Sequence, residues 1–225
     1  MALRIVSQQA VVFQDRKEAG RLLAEQLTDY VDSGCIVLAI PRGGVVVGAE
    51  VADRLHCDLD IIIVRKLGAP YNPELAIGSV MEGAEKPFLN GEIIASLGVG
   101  PDYIRQETEA QQTEAERRAN LYHKGKPRPD LRGRTVIITD DGVATGATMF
   151  SSIQGVKAAG AGKMVVGLPV GPRDTMADIA GEVDEVVCLS TPSFFGAVGQ
   201  FYRDFSQTSD EEVVEILRRF TPAMR

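Results

Sequence analysis

Only two histidines, His56 and His123, occur in the 225 residues. One is expected at a helix end and the other in a linker, and neither has the partners a general base or a metal-ligand set requires. The three cysteines, Cys35, Cys57 and Cys188, lack metal-ligand spacing. Cys35 and Cys188 fall in expected strands, where a buried reduced thiol is the expectation. Basic residues form no patch. Arg65-Lys66, Arg117-Arg118 and Arg218-Arg219 are short, scattered pairs in a chain of net charge -7, which argues against a nucleic-acid surface. No apolar run approaches membrane-spanning length, and the first residues carry no basic-then-apolar signal pattern, so a cytoplasmic location is expected. Internal repeats and low-complexity tracts are missing as well. Gly43-Gly44 and Gly48 lack the G-x-G-x-x-G spacing of a dinucleotide site, and no Gly-Lys-Ser/Thr P-loop is found.

What the chain does have is 44% hydrophobic residues, enough for a substantial core, and a regular alternation of elements. Asp15 and Glu18 form a capping box for a first helix that buries Leu22, Leu23 and Leu27. Cys35–Ile40 reads as a core strand, Val45–Leu55 as a helix and Asp60–Val64 as a second strand. Val80 and Phe88–Ile94 suggest short strands, and Asp102–Tyr122 a polar helix with little more than Ile104, Ala115 and Ala119 to bury. Lys124–Asp130 reads as a linker into a strand at Val136–Ile138. Further strands are expected at Met164–Val170 and Val183–Leu189, and helices at Thr175–Ile179 and after the box Thr208-x-x-Glu211. Such alternation predicts an α/β fold: a doubly wound, mostly parallel sheet with helices on both faces and ligands beyond the carboxyl ends of the strands.

The most informative stretch is 136–149. Val136, Ile137 and Ile138 make a buried strand that ends on two carboxylates, Asp140 and Asp141. A loop of small and hydroxyl residues follows, and then Met149, Phe150, Ile153 and Val156 at helical spacing. A strand–loop–helix unit aims backbone N–H groups and the positive helix end at one spot, which suits a phosphate. The acid pair suits hydroxyl donors or a metal. Taken alone, an Asp-Asp-Gly strand end is more readily an Asx turn with no ligand.

This full pattern resembles the phosphoribosyl pyrophosphate (PRPP) signature of type I phosphoribosyltransferases. The resemblance extends along nearly the whole chain, through Phe13-x-Asp-Arg16, Arg65-Lys-Leu-Gly-Ala-Pro70 and Phe201-Tyr-x-x-Phe205. It implies one domain over 1–225, with an inserted flap at 68–129 and a C-terminal hood at 190–225. Ala144, Thr145, Gly146, Ala147 and Thr148 would hold the 5′-phosphate, and Asp140 and Asp141 the ribose hydroxyls. Arg42, Gly43, Gly44, Arg65 and Lys66 would meet the pyrophosphate, and family members often hold a cis peptide in that glycine loop. Asp140, Asp141, Arg42 and Lys66 are the implied catalytic residues. Val186, Val187, Phe194 and, by analogy with adenine-type members, Glu82 would serve the base. The implied cofactor is Mg²⁺, carried by PRPP with Asp140 or Asp141 reached through water, and no side chain is assigned as a direct metal ligand.

The family's six-oxopurine enzymes carry an acid where this chain has Ala144, and a lysine where Gly171-Pro172 stands. The resemblance therefore implies transfer to a nitrogenous base other than a six-oxopurine. The alternative is a PRPP- or nucleotide-sensing module without turnover. Expected partners are PRPP and a small-molecule acceptor, with neither nucleic acid nor membrane and with self-association left open.

Overall fold

The computed structural model describes residues 2–83, 86–123 and 128–220. Six strands form one parallel sheet in the order β1-β9-β8-β7-β2-β3: β1 Ala2–Ser7, β2 Ile36–Ala39, β3 Asp58–Ile61, β7 Thr135–Thr139, β8 Lys163–Val170 and β9 Glu185–Ser190. The inner strands read as unbroken apolar runs because both faces are covered. Their side chains alternate between two cores. Val37, Ala39, Ile137 and Val165 pack under α1 (Arg16–Glu25) and α2 (Gly43–Leu55). Ile36, Leu38, Ile138 and Val166 pack under α5 (Ala147–Ala158) and α6 (Arg173–Ala180). The doubly wound α/β expectation is met.

A second, antiparallel sheet stands apart, made of β4 Val64–Ala69, β5 Asn72–Met81 and β6 Phe88–Leu89. It corrects the expected second core strand. That strand ends at Ile61, and Arg65-Lys66 lie in the β4–β5 hairpin rather than at a core strand's end. The expected strand over Phe88–Ile94 holds for two residues. Asn90 then caps a short helix, α3 (Gly91–Leu97), by accepting from the Ile93 amide. β1, not expected from sequence, is an edge strand paired only with β9 and half exposed, so it carries little apolar signal.

The polar helix is α4 (Pro101–His123). Ala115 and Ala119, fully buried, let it lie close against the core, and it touches the C-terminal helix α7 (Asp210–Arg219). His123 ends α4 rather than lying in a linker, and its Nε2 is 2.8 Å from Asp60 Oδ1. The linker residues 124–127 lie outside the described residues, as do 84–85 of the flap and 221–225 of the hood. The last helix is capped by Ser209, whose hydroxyl accepts from the Glu212 amide, one residue beyond the expected box.

The free-thiol expectation is overturned for Cys35, which forms a disulfide with Cys57 across a Cα–Cα distance of 5.4 Å. No spacing rule announces it, because the turn from α2 into β3 brings the two together. Cys188 is free and buried in β9, and burial pushes its thiol up to about 12. Among the described residues no helix is long and apolar enough to cross a membrane.

Candidate active site

β7 is central in the large sheet and delivers the acid pair. Thr139 closes the strand by donating its hydroxyl to the Gly167 carbonyl at 2.8 Å. Asp140 and Asp141 follow, and Asp140 Oδ1 accepts from the Asp141 amide at 2.8 Å. Burial first, then the neighbouring Asp141 carboxylate, drives the Asp140 carboxyl well above its usual range. Asp141 is also raised by burial, but its partner opposes the shift: Arg16 Nε lies 2.8 Å from Asp141 Oδ2.

The pair sits against the first turn of α2. A β-carbon on Gly44 would lie 2.9 Å from Asp140 Oδ1, so glycine is what allows this approach. The preceding Pro41–Arg42 peptide is cis, as the resemblance implies.

The loop after the acids turns into α5 at Gly146, whose φ of 79° is left-handed. No side chain caps α5, so its first amides are open to a ligand. Thr145, Ala147 and Thr148 stand exposed around that end, while the Ala144 carbonyl accepts from the Thr175 hydroxyl at 3.1 Å.

Thr145, Ala147 and Thr148 line a cavity of about 1140 Å³, whereas Asp140, Asp141, Ala144 and Gly146 do not. Its walls carry Arg42 from the α2 loop, Arg65 and Lys66 from β4, and Arg117 and Arg118 from α4, opposed by Glu107 and Asp210. The cations outnumber the acids, which suits a polyanion. α4 is held as a wall. Arg65 Nε donates to Gln111 Oε1 at 2.9 Å, and Tyr103 donates its hydroxyl to the Gly68 carbonyl at 3.0 Å. At its far end Tyr122 donates to Asp210 Oδ1 at 2.6 Å, and Arg42 Nη1 approaches the same oxygen at 3.8 Å. Burial and then the Asp210 hydrogen bond push the Tyr122 phenol up to about 12.

A family model for the phosphoribosyl transferase domain matches residues 13–206, most of the chain and every group just described except Asp210. The chain belongs to this family. Two Mycobacterium tuberculosis proteins, named "Putative phosphoribosyl transferase MT0597" and "Putative phosphoribosyl transferase Rv0571c", are each 45% identical to it over 208 residues. The match covers 92% of this chain and 47% of each relative, so the chain spans about half the length of those proteins. The crystal structure of TT1426 from Thermus thermophilus superposes with a TM-score of 0.86 at 40% identity, covering 93% of this chain and 99% of that one.

This phosphoribosyl transferase domain brings together Arg42, Arg65, Lys66, Thr145, Ala147 and Thr148 around one cavity. Gly43 and Gly44 press against the acid pair, and like Asp140 and Asp141 they line neither cavity. The expected base residues scatter, and none lines the cavity. Val186 and Val187 are fully buried mid-strand, paired with β1 and β8 on either side. Phe194 is 80% exposed. Glu82 is buried beside a separate space of about 630 Å³ and pairs with Arg128. Sequence reasoning missed Arg16, Gln111, Tyr122 and Asp210. Only Arg16 left a trace, in the Phe13-x-Asp-Arg16 similarity.

Proposed function

We propose that this domain transfers the 5-phosphoribosyl group of PRPP to a nitrogenous acceptor with release of pyrophosphate. The observation that carries the reading is the single cavity in which the uncapped start of α5 meets Arg42, Arg65 and Lys66 from two other elements. The amides and hydroxyls of the Ala144–Thr148 loop hold the 5′-phosphate. Asp140 and Asp141 accept from the ribose hydroxyls. Arg42, Arg65 and Lys66 neutralise the pyrophosphate as the bond from C1′ breaks, so catalysis is positioning plus leaving-group stabilisation. The α4 wall limits water near C1′.

The donor set fits Mg²⁺ carried by the substrate. Among the described residues no three acids, histidines or cysteines gather into a cage, and Asp140 and Asp141 are adjacent carboxylates that would reach such an ion through its waters. When bound, the ion adds positive charge to the pyrophosphate. The acceptor class favoured is a base other than a six-oxopurine, on the strength of Ala144 and Gly171-Pro172.

A second reading, PRPP or nucleotide sensing without turnover, is favoured by the scatter of Val186, Val187, Phe194 and Glu82 away from the cavity. Calorimetric titration with Mg²⁺-PRPP, followed by assay of pyrophosphate release with each nucleobase, separates the two. Release with one acceptor is expected. Binding with no release for any base establishes the sensor, and no binding sinks both.

A further inference from the structure

Arg16 and the acid pair are linked through segments from both ends of the chain. Phe13 and Phe201–Asp204 zip together: the Phe13 amide donates to the Phe201 carbonyl at 2.8 Å, and the Arg203 and Asp204 amides return to Phe13 and Gln14 at 2.9 Å each. The rings of Phe13 and Tyr202 pack at 5.5 Å, and those of Tyr202 and Phe205 at 5.2 Å. This zipper places Arg16, in the first turn of α1, over the Phe205 ring with 4.0 Å from guanidinium carbon to centroid. From there its Nε reaches Asp141 Oδ2 and its Nη1 donates to the Ser206 carbonyl, each at 2.8 Å. Tyr202 completes the grip by donating its hydroxyl to the Asp141 carbonyl. The side chains of Arg16 and Asp141 are 11% and 15% exposed, so water competes little for the contact.

Resting on the phosphoribosyl-transfer reading above, we propose that Arg16 is a positioning residue for the acid pair. It does not line the cavity. Stacked on Phe205 and tied to Ser206, it fixes Asp141 in one orientation against Gly43, and Asp141 in turn carries the amide that Asp140 Oδ1 accepts. The two sequence similarities at the chain ends, Phe13-x-Asp-Arg16 and Phe201-Tyr-x-x-Phe205, thereby act together to hold the acids where a ribose diol meets them. A guanidinium suits this role better than an ammonium, because its flat face stacks on a ring while its edge still donates.

The test is a double-mutant cycle on Mg²⁺-PRPP affinity, with melting temperature read beside it. Arg16→Met is expected to weaken binding at least tenfold, and Arg16→Lys to fall between it and the unaltered protein. The double variant Arg16→Met/Asp141→Asn should bind no worse than Asp141→Asn alone, because Arg16 acts only through Asp141. Unchanged affinity in Arg16→Met with a lowered melting temperature would make the residue merely structural and overturn the proposal. So would losses that multiply in the double variant, which mean an independent contact with the ligand. Should Arg16→Met not fold, Phe205→Leu asks the same question by removing the ring beneath the guanidinium: severalfold weaker binding is expected, and unaltered binding overturns the idea. If the unaltered protein does not bind PRPP, the transfer reading fails and this inference with it. A measurable affinity that Arg16→Met leaves intact defeats the inference alone.

Discussion

Gly43 and Asp141 stand so close that a β-carbon on Gly43 would lie 2.0 Å from Asp141 Oδ2 and 2.7 Å from Arg16 Nε. The first glycine of the α2 loop is therefore a space requirement of the acid pair. Gly43→Ala should push Asp141 off Arg16 and cost about 1–3 kcal/mol, the usual range for overpacking. Thermal melts and a Mg²⁺-PRPP titration check this. A variant with unaltered melting temperature and affinity would mean that the loop yields without cost.

Asp140 offers a prediction whose sign depends on pH. Its folded-state carboxyl is raised, by burial and then by Asp141, above an unfolded value of about 3.9. Between those two values the native state holds more protons than the unfolded chain, so this group's contribution to stability falls as pH rises through the folded value. Asp140→Asn removes that penalty. The variant should melt higher than the unaltered protein at pH 7–8, show a smaller gain near pH 4, and bind PRPP more weakly. Melting curves across that range decide, and a lower melting temperature at pH 8 would contradict the raised carboxyl.

α4 behaves in this structure as a wall. Its anchors at Gly68, Arg65 and Asp210, with Ala115 and Ala119 buried beneath it, should slow amide exchange across 103–122 in the ligand-free protein. Ala115→Leu should lift the helix, at a cost of roughly 1–3 kcal/mol, and widen the cavity. Hydrogen-exchange mass spectrometry reads both. Rapid exchange throughout α4 without ligand would make the helix a mobile lid instead of a wall.

Asp210 holds two groups at the cavity, Arg42 and Tyr122. Tyr122→Phe should lose about 0.5–1.5 kcal/mol of stability, the net worth of an ordinary hydrogen bond, and loosen Asp210. Asp210→Asn weakens the hold on Arg42, so it should change PRPP affinity more than Tyr122→Phe does. Equal affinities in the two variants would separate Asp210 from Arg42.

The Cys35–Cys57 disulfide closes a segment with a sequence separation of 22, for which chain-entropy reasoning gives about 3 kcal/mol. Both cysteines lie at the amino-terminal edge of the sheet, away from the acid pair. Cys35→Ser/Cys57→Ser should therefore lower the melting temperature while leaving PRPP affinity unchanged. A fall in affinity would tie the bridge to the site.

The sequence by itself determined the elements whose causes are local. Val136–Met149 encodes strand, acids, loop and helix in one contiguous run, because alternation, glycine freedom and helix-end amides all act over a few residues. The parallel order of the large sheet follows from the alternation of strands and helices, and the glycine-bearing loop over 142–148 from its position at the end of β7. Tertiary structure decided the rest. Arg16 lies 125 residues from Asp141, Tyr122 lies 88 from Asp210 and Arg65 lies 46 from Gln111. No periodicity connects such pairs, since each contact exists only after two separately formed elements have packed. The same reason explains what the sequence left unread: Val186 and Val187 are enclosed between β1 and β8, Glu82 follows the hairpin to a separate space, and Cys35 meets Cys57 only through the turn out of α2. Residues acting through their neighbours along the chain are legible in sequence, and residues acting across the fold become legible only when packing sets their distances.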